Sequence, residues 1–260
     1  MKYLTAFFMA WGNFFAVPCP CKWWDNELRR LQLVFFPLIG LLMGGLWYGL
    51  YWVMALVGIP LPLQAAVLAI YPFIISGFIH LDGFMDCCDA ILSRRDLAER
   101  QRILKDSHVG AFSVISVAIL FLLSFAAAWC AVDPAAGPME DVSWKLTGLV
   151  VIPLVSRACS GYGVLNFVPI GHSQYKASYD QQINRKYGIV LNLMIAAAIL
   201  LPAFLLKQGL TAAIAAGITV IVHHLMMGHG RRQLGGMSGD ISGYALTIAE
   251  CAGLLTLAVL

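Results

Sequence analysis

Apolar runs of about twenty residues recur along this 260-residue chain with almost no charge inside them. A run of that length spans the roughly 30 Å hydrocarbon core of a bilayer when it is helical. Inside lipid every backbone N–H and C=O must find a partner within the protein, which leaves helix bundles and closed barrels. Continuous apolar runs lack the two-residue alternation of a barrel strand. The chain is therefore expected to be an all-α, polytopic transmembrane bundle forming a single integral membrane domain over residues 1–260. Composition agrees: 60% of residues are hydrophobic and 12% charged, against about 25% charged in ordinary soluble proteins.

Seven spans are expected, at 33–58, 61–81, 110–132, 146–168, 188–206, 210–229 and 243–260. The first eighteen residues lack a cleavage-site pattern and are broken by Gly12 and Asn13, so they read as an interfacial or re-entrant segment of the mature chain. With residues 1–32 inside, the inside segments 1–32, 82–109, 169–187 and 230–242 hold 14 of the 17 Lys and Arg residues. Lys145 and Lys207 fall outside and Arg157 lies within a span. That asymmetry orients the chain by the positive-inside rule. The expected location is the plasma membrane, multi-pass, with the active site on the cytoplasmic side.

The polar chemistry is concentrated at the inner ends of the spans. In His80-Leu-Asp82-Gly-Phe-Met-Asp86-Cys-Cys-Asp89 the three carboxylates fall at i, i+4 and i+7, one face of a helix. Like charges so stacked destabilise the helix and raise one another's pKa unless something neutralises them. A divalent cation does so, and a carboxylate-rich, sulfur-free set suits Mg²⁺ or Mn²⁺. The bland alternative is a solvated polar face, but the basic residues begin only at Arg94, followed by Arg95.

A second group, Gly235-Gly236-Met-Ser-Gly239-Asp240-Ile-Ser-Gly243, opens the last span, and Glu250 lies about three turns further in. A carboxylate at that depth is a functional candidate by default; the competing reading is a structural Glu paired with Arg157. Between the two groups, Asp96 and Glu99 suggest a capped interfacial helix burying Leu97, Ile103 and Leu104. Lys105, Asp106 and Ser107 follow where the chain returns to the membrane. His223, His224 and His229 close the sixth span, and Arg231 and Arg232 follow them. Cys159 lies in an apolar run, where Cys behaves as a small hydrophobe, and none of the cysteine spacings is a zinc motif.

HLDGFMDCCDA, ILKDSHVGAF and GGMSGDISG, with FFPLIGLLMGG after an N-terminal WW-D-E-RR stretch, resemble the cobalamin synthase family over nearly the whole chain. The resemblance implies a Mg²⁺-dependent membrane enzyme that joins adenosylcobinamide-GDP to α-ribazole or its 5′-phosphate and releases GMP. It implies metal or catalytic roles for Asp82, Asp86, Asp89 and Asp240, with Lys105 beside them and Glu250 in support. Substrate contacts are expected from His80, Arg94, Arg95, Asp106, Ser107, Arg231, Arg232, Gly235, Gly236 and Gly239. Two positions depart from the family pattern. Thr247 stands where members often carry Glu, and the 169–187 loop lacks an arginine- and glycine-rich sequence.

Two other readings fit less well. A CDP-alcohol phosphotransferase would need Ala-Arg after its first Asp-Gly, where this chain has Phe84-Met85-Asp86. A transporter relay would spread charge toward both faces and leave an inverted repeat, and neither is visible. Membrane lipid is an expected partner, nucleic acid is not, and an oligomer stays open. The orientation is checked by cysteine labelling from either side of the membrane. Positions near 99 and near 140 should be reached from opposite sides; labelling of both from one side would end this topology.

Overall fold

The structure is a computed structural model that describes residues 1–133, 139–171, 173, 176, 179–207 and 209–260. Among the described residues there is no strand beyond one isolated bridge, Pro169 to Met237. The helices are α1 (Lys2–Phe14), α2 (Arg29–Val57), α3 (Leu61–Ile75), α4 (Ile79–Leu92), α5 (Leu97–Ile103), α6 (Ala111–Val132), α7 (Met139–Lys145), α8 (Gly148–Asn166), α9 (Gln181–Leu205), α10 (Gly209–Leu234) and α11 (Gly239–Val259). Among the described residues six stretches are long and apolar enough to cross a membrane, and there are seven if the bent pair α3–α4 is counted as one span. The protein is thus a multi-pass all-α membrane bundle. α1, at 13 residues, covers about 20 Å; it packs beside α2 and is tied there by Gln32 Nε2 donating to the Met9 carbonyl at 3.0 Å.

α8 forms the centre. In the windows that identify the spans, 83% of its residues and 72% of those of α11 are buried, against 28% for α6 and for α9. α8 packs against α2, α9, α10 and α11, while α11 packs against α4, α6, α8 and α10. Leu and Ile left exposed on α6 and α9, such as Ile115, Leu122, Leu193 and Leu200, form the face that meets lipid.

α2 and α8 touch through backbone. A Cβ on Gly44 would stand 2.5 Å from the Val150 carbonyl oxygen, and one on Gly40 would strike the Pro153 carbonyl. Small residues four apart let membrane helices approach closely and gain dispersion contact. The same contact carries the buried ion pair of the core. Arg157 on α8 is 0% exposed and pairs with Glu250 on α11. Ser156 Oγ donates to the same carboxylate oxygen at 2.7 Å, and the Arg157 guanidinium lies over the Phe36 ring of α2 at 5.8 Å.

The expected span 61–81 is corrected. α3 stops at Ile75 and α4 leaves at 90°. Gly77 and Phe78 take φ values of +64° and +61°, a left-handed step that ends a helix. No proline marks this break; its signature is the glycine. The carbonyls freed at the end of α3 are all answered, as a helix end in lipid requires. Ser76 Oγ donates to Pro72 O and Phe73 O, Phe78 N–H also to Phe73 O, Gly77 N–H to Ile74 O, and Ala16 N–H to Ile75 O.

Other boundaries shift for identifiable reasons. α9 starts at Gln181 rather than 188, because the Asp180 side chain caps it by accepting from the N–H groups of Gln182 and Ile183. α10 continues past 229 to Leu234. Arg185, Lys186, Arg231 and Arg232, expected in loops, therefore stand on helices that outrun the bilayer; α9 and α10 are about 38 Å long. Leu97, expected to be buried, is 47% exposed, whereas Leu104 is buried as expected.

The α2–α8 contact gives a paired test. Gly44→Val should force the helices apart and cost on the order of 1–3 kcal/mol or more, read as a lower melting temperature in detergent. Gly45→Val, at a position with nothing within 4 Å, should melt like the parent. Equal melting of the two variants would mean that α2 and α8 do not meet at Gly44.

Candidate active site

α4 crosses the start of α11 with the two backbones in contact. A Cβ on Gly83 would lie 2.8 Å from Asp240 Cα, and one on Gly243 would lie 2.8 Å from the His80 carbonyl oxygen. Glycine at both positions lets the helices approach to that distance. Thr247 Oγ1 adds a bond to the same His80 carbonyl at 3.3 Å. The crossing brings Asp240 to the row on α4. Asp82, Asp240 and Asp89 all lie near enough to repel charge on Asp86. Among the described residues no basic side chain forms an ion pair with Asp82, Asp86 or Asp89.

The four carboxylates are held differently. Asp89 Oδ2 accepts from Gly110 N–H at 2.7 Å and its Oδ1 from Ser113 N–H at 3.0 Å. It thereby satisfies orphan donors at the start of α6 and complements the positive end of that helix. Asp82 is exposed and Asp86 half-buried on α4. Asp240 sits in the first turn of α11, whose N-cap Ser238 accepts from Ile241 N–H at 3.3 Å and donates to Asp240 Oδ2 at 3.3 Å. Asp82, Asp240 and Gly239 line a cavity of about 90 Å³ together with His80 and Ser160. His80 is buried, its ring stacked near those of Phe14 and Phe36, and its Nδ1 has no partner.

The donor set fits a hard cation. It is all carboxylate oxygen, it lacks a basic counter-ion at Asp82 and Asp86, and there is open volume between Asp82 and Asp240. The oxygens do not converge tightly: the acidic row is not among the groups whose ligand atoms lie within 4.8 Å of one another. Mg²⁺ commonly retains several waters and binds through one or two carboxylates plus substrate phosphates, which suits this spacing.

A wider groove of about 500 Å³ opens on α10, lined by Val168, His224, Gly228, Arg231, Arg232, Gly235 and Gly236. Four of those residues were expected substrate contacts. Gly235 and Gly236 end α10 with positive φ, and the next residue, Met237, bridges to the α8 exit through Ile170 N–H to Met237 O at 3.0 Å and Met237 N–H to Val168 O at 2.8 Å. Arg231 stacks on Phe167, 3.6 Å from the ring centre, and lines the groove. Arg232 is exposed.

The segment after α4 covers this end of the bundle. Asp96 caps α5 by accepting from Glu99 N–H at 2.9 Å, while the Glu99 carboxylate pairs with Arg102. α5 docks on the end of α10: Gln101 Nε2 donates to Leu234 O at 2.8 Å and Arg100 binds the Gln233 side chain. Arg94, Arg95, Lys105, Asp106 and Ser107 are exposed. Asp106 accepts from the ring and backbone N–H of His108, and these bonds hold its carboxyl below the usual range. Of the expected 169–187 loop, residues 172, 174, 175, 177 and 178 lie outside the described set.

Glu250 lies apart from the row, in the Arg157 pair described above. One grouping is encoded by no spacing in the sequence: Cys159 on α8 meets His223 and His224 on α10, with one ligand atom of each within 4.8 Å of the others.

The cobalamin-5-phosphate synthase family model, CobS, matches residues 6–258 of the chain. Among curated proteins, the adenosylcobinamide-GDP ribazoletransferase of Clostridium perfringens (strain 13 / Type A) is 34% identical over 252 residues, covering 97% of this chain and 96% of the relative. Those of Clostridium botulinum (strain Alaska E43 / Type E3) and Pseudomonas putida (strain KT2440) are 35% and 32% identical, covering 95% and 90% of this chain and 94% and 89% of their own lengths. No solved structure matches the chain. A family match over nearly every residue, including the segments that build the α4–α11 crossing, makes this chain a member of the cobalamin-5-phosphate synthase family.

Proposed function

We propose that this protein is an adenosylcobinamide-GDP ribazoletransferase. It would join adenosylcobinamide-GDP to α-ribazole or its 5′-phosphate and release GMP, with the carboxylate end of the bundle on the cytoplasmic side of the plasma membrane. The observation that carries this reading is the contact of α4 with α11. It brings the Asp82–Asp86–Asp89 row against Asp240 at the same end of the bundle as the arginine-lined groove. The names of the relatives supply the substrates, and the clustering of basic residues at this end supports the orientation.

Phosphoryl transfer needs positioning and cancellation of phosphate charge more than a protein nucleophile. Asp82 and Asp86 are the residues to hold Mg²⁺, with Asp89 contributing the lone pairs its two backbone donors leave and Asp240 facing the ion across the small cavity. The bound ion would supply charge neutralisation on the phosphate oxygens. Arg231, fixed on Phe167, and Arg232 bind phosphate in the groove, and Gly235 and Gly236 give it access to the backbone there. Lys105, Arg94 and Arg95, all exposed, offer further positive charge from the covering segment, with Asp106 and Ser107 beside them as polar contacts. His80 and Gly239 form walls of the small cavity.

Asp240 takes the proton of the attacking ribazole hydroxyl. The hydroxyl oxygen forms the new bond to the corrinoid-bearing phosphorus, the bond from that phosphorus to GMP breaks, and GMP leaves with the electron pair. Asp89 is less well placed for that proton because backbone donors occupy both its oxygens. Glu250 belongs to the Arg157 pair and supports the core.

The direct test is to incubate the purified protein with adenosylcobinamide-GDP, α-ribazole and Mg²⁺. GMP release with matching cobalamin formation is expected, and neither product from folded protein would overturn the reading. Asp86→Asn should fold normally and lose more activity at limiting Mg²⁺ than the roughly 10–100-fold that loss of a supporting contact costs. A wild-type rate with wild-type Mg²⁺ dependence would remove Asp86 from the ligand set.

Glu250→Gln and Asp240→Asn should fail in opposite ways. The first leaves Arg157 buried against a neutral partner, costing up to about 3–5 kcal/mol of stability, yet the folded fraction should still turn over. The second should melt near the parent temperature and show no single-turnover chemistry. If the acidic limb of the pH–rate profile vanishes in Glu250→Gln and persists in Asp240→Asn, the base has been misassigned.

A further inference from the structure

α8 and α10 meet behind the small cavity. There the Cys159 sulfur and one ring nitrogen each from His223 and His224 lie within 4.8 Å of one another. Cys159 and His223 are both 0% exposed. His224 is exposed and lines the Arg231 groove.

Hydrogen bonds fix one nitrogen of each ring and leave the other. His224 Nδ1 lies 2.9 Å from the Val220 carbonyl. A carbonyl only accepts, so Nδ1 carries the proton and Nε2 keeps a lone pair. His223 Nε2 lies 2.9 Å from Ser160 Oγ, while its Nδ1 is buried without any partner. A buried imidazole nitrogen with nothing to bond costs free energy, so its orphaning marks a place for a ligand. Metal-bound histidines characteristically engage their second nitrogen in a hydrogen bond that sets the tautomer, and both rings have that bond.

We propose that Cys159, His223 and His224 form a site for a soft or borderline divalent cation of the Zn²⁺ class, separate from the carboxylate row. One thiolate and two imidazoles are the ligands such an ion prefers, and they suit Mg²⁺ poorly. Two imidazoles bind neutral, and the Cys159 thiol gives up its proton to solvent as the Sγ–metal bond forms. The groove at His224 is the way in for the ion and the source of a water for the fourth position. Ser160 links the two sites: its hydroxyl orients His223, and the residue also lines the cavity shared by Asp82 and Asp240. Occupancy would pin α8 to α10 directly behind the carboxylates.

The test uses the full-length protein, purified without a histidine tag, stripped of metal and titrated with Co²⁺ alone. One equivalent should give a thiolate-to-cobalt charge-transfer band with tetrahedral visible bands. Zn²⁺ should displace the signal and Mg²⁺ should not. Cys159→Ser should abolish the charge-transfer band, and Cys130→Ala, at an exposed cysteine of α6, should leave it intact. Because Cys159→Ser touches a packed helix contact, His224→Ala at the exposed ligand gives a second reading. It should weaken Co²⁺ binding by at least about tenfold. No charge-transfer band at one equivalent in the parent, or a band unchanged in His224→Ala, would overturn the proposal.

Discussion

Everything at the carboxylate end of this bundle depends on two backbones being allowed to touch. At Gly83 and Gly243, α4 and α11 approach until a single methyl group would collide with main-chain atoms of Asp240 or His80. Side chains of any size at these positions would hold the helices apart and separate Asp240 from the α4 row. Carboxylates repel one another, so they do not draw the two helices together. The attraction comes from close packing of small residues and from the aromatic pair beneath them, Phe84 stacked on Tyr244 with ring centres 6.1 Å apart.

The bilayer sets the other constraint. α4 cannot simply continue α3, because that would carry its three aspartates along the line of a membrane crossing, where charge is costly. The Gly77–Phe78 step turns the chain by 90° instead, and the freed carbonyls are closed by Ser76, by the turn itself and by the chain arriving at Ala16. The one carboxylate that does go deep, Glu250, is matched to Arg157 and to Ser156. Arg157 Nε and Nη2 have no hydrogen-bond acceptor; the Phe36 ring face beside the guanidinium is their compensation.

Much of this could be read from the chain. Span number, the helical face shared by Asp82, Asp86 and Asp89, and the Asp96 cap all follow from local spacing, and local spacing is what a sequence displays directly. The pairing of Glu250 with Arg157 was one of two readings, and only the packing of α8 on α11 decided between them. The bend at 76–78 went unseen because its one glycine looks like any other in a membrane helix. Helix ends at Gln181 and Leu234 were misjudged because hydropathy marks where lipid stops, not where hydrogen bonding stops. The meeting of Cys159 with His223 and His224 joins two helices far apart in the chain, and no motif spacing encodes such a contact. Family resemblance, not periodicity, supplied the substrates.

The α4–α11 crossing also imposes an order of events. Asp86 enters the membrane system early in translation, whereas Asp240 and the glycines that receive α4 arrive only with α11. Chains emerge from the ribosome N-terminus first and begin to organise as they do. Until α11 inserts, α4 has lost its broadest packing partner, and its aspartates have neither their fourth member nor a fixed orientation. A nascent chain stalled after α10 would therefore carry an acidic helix without the element it packs against most.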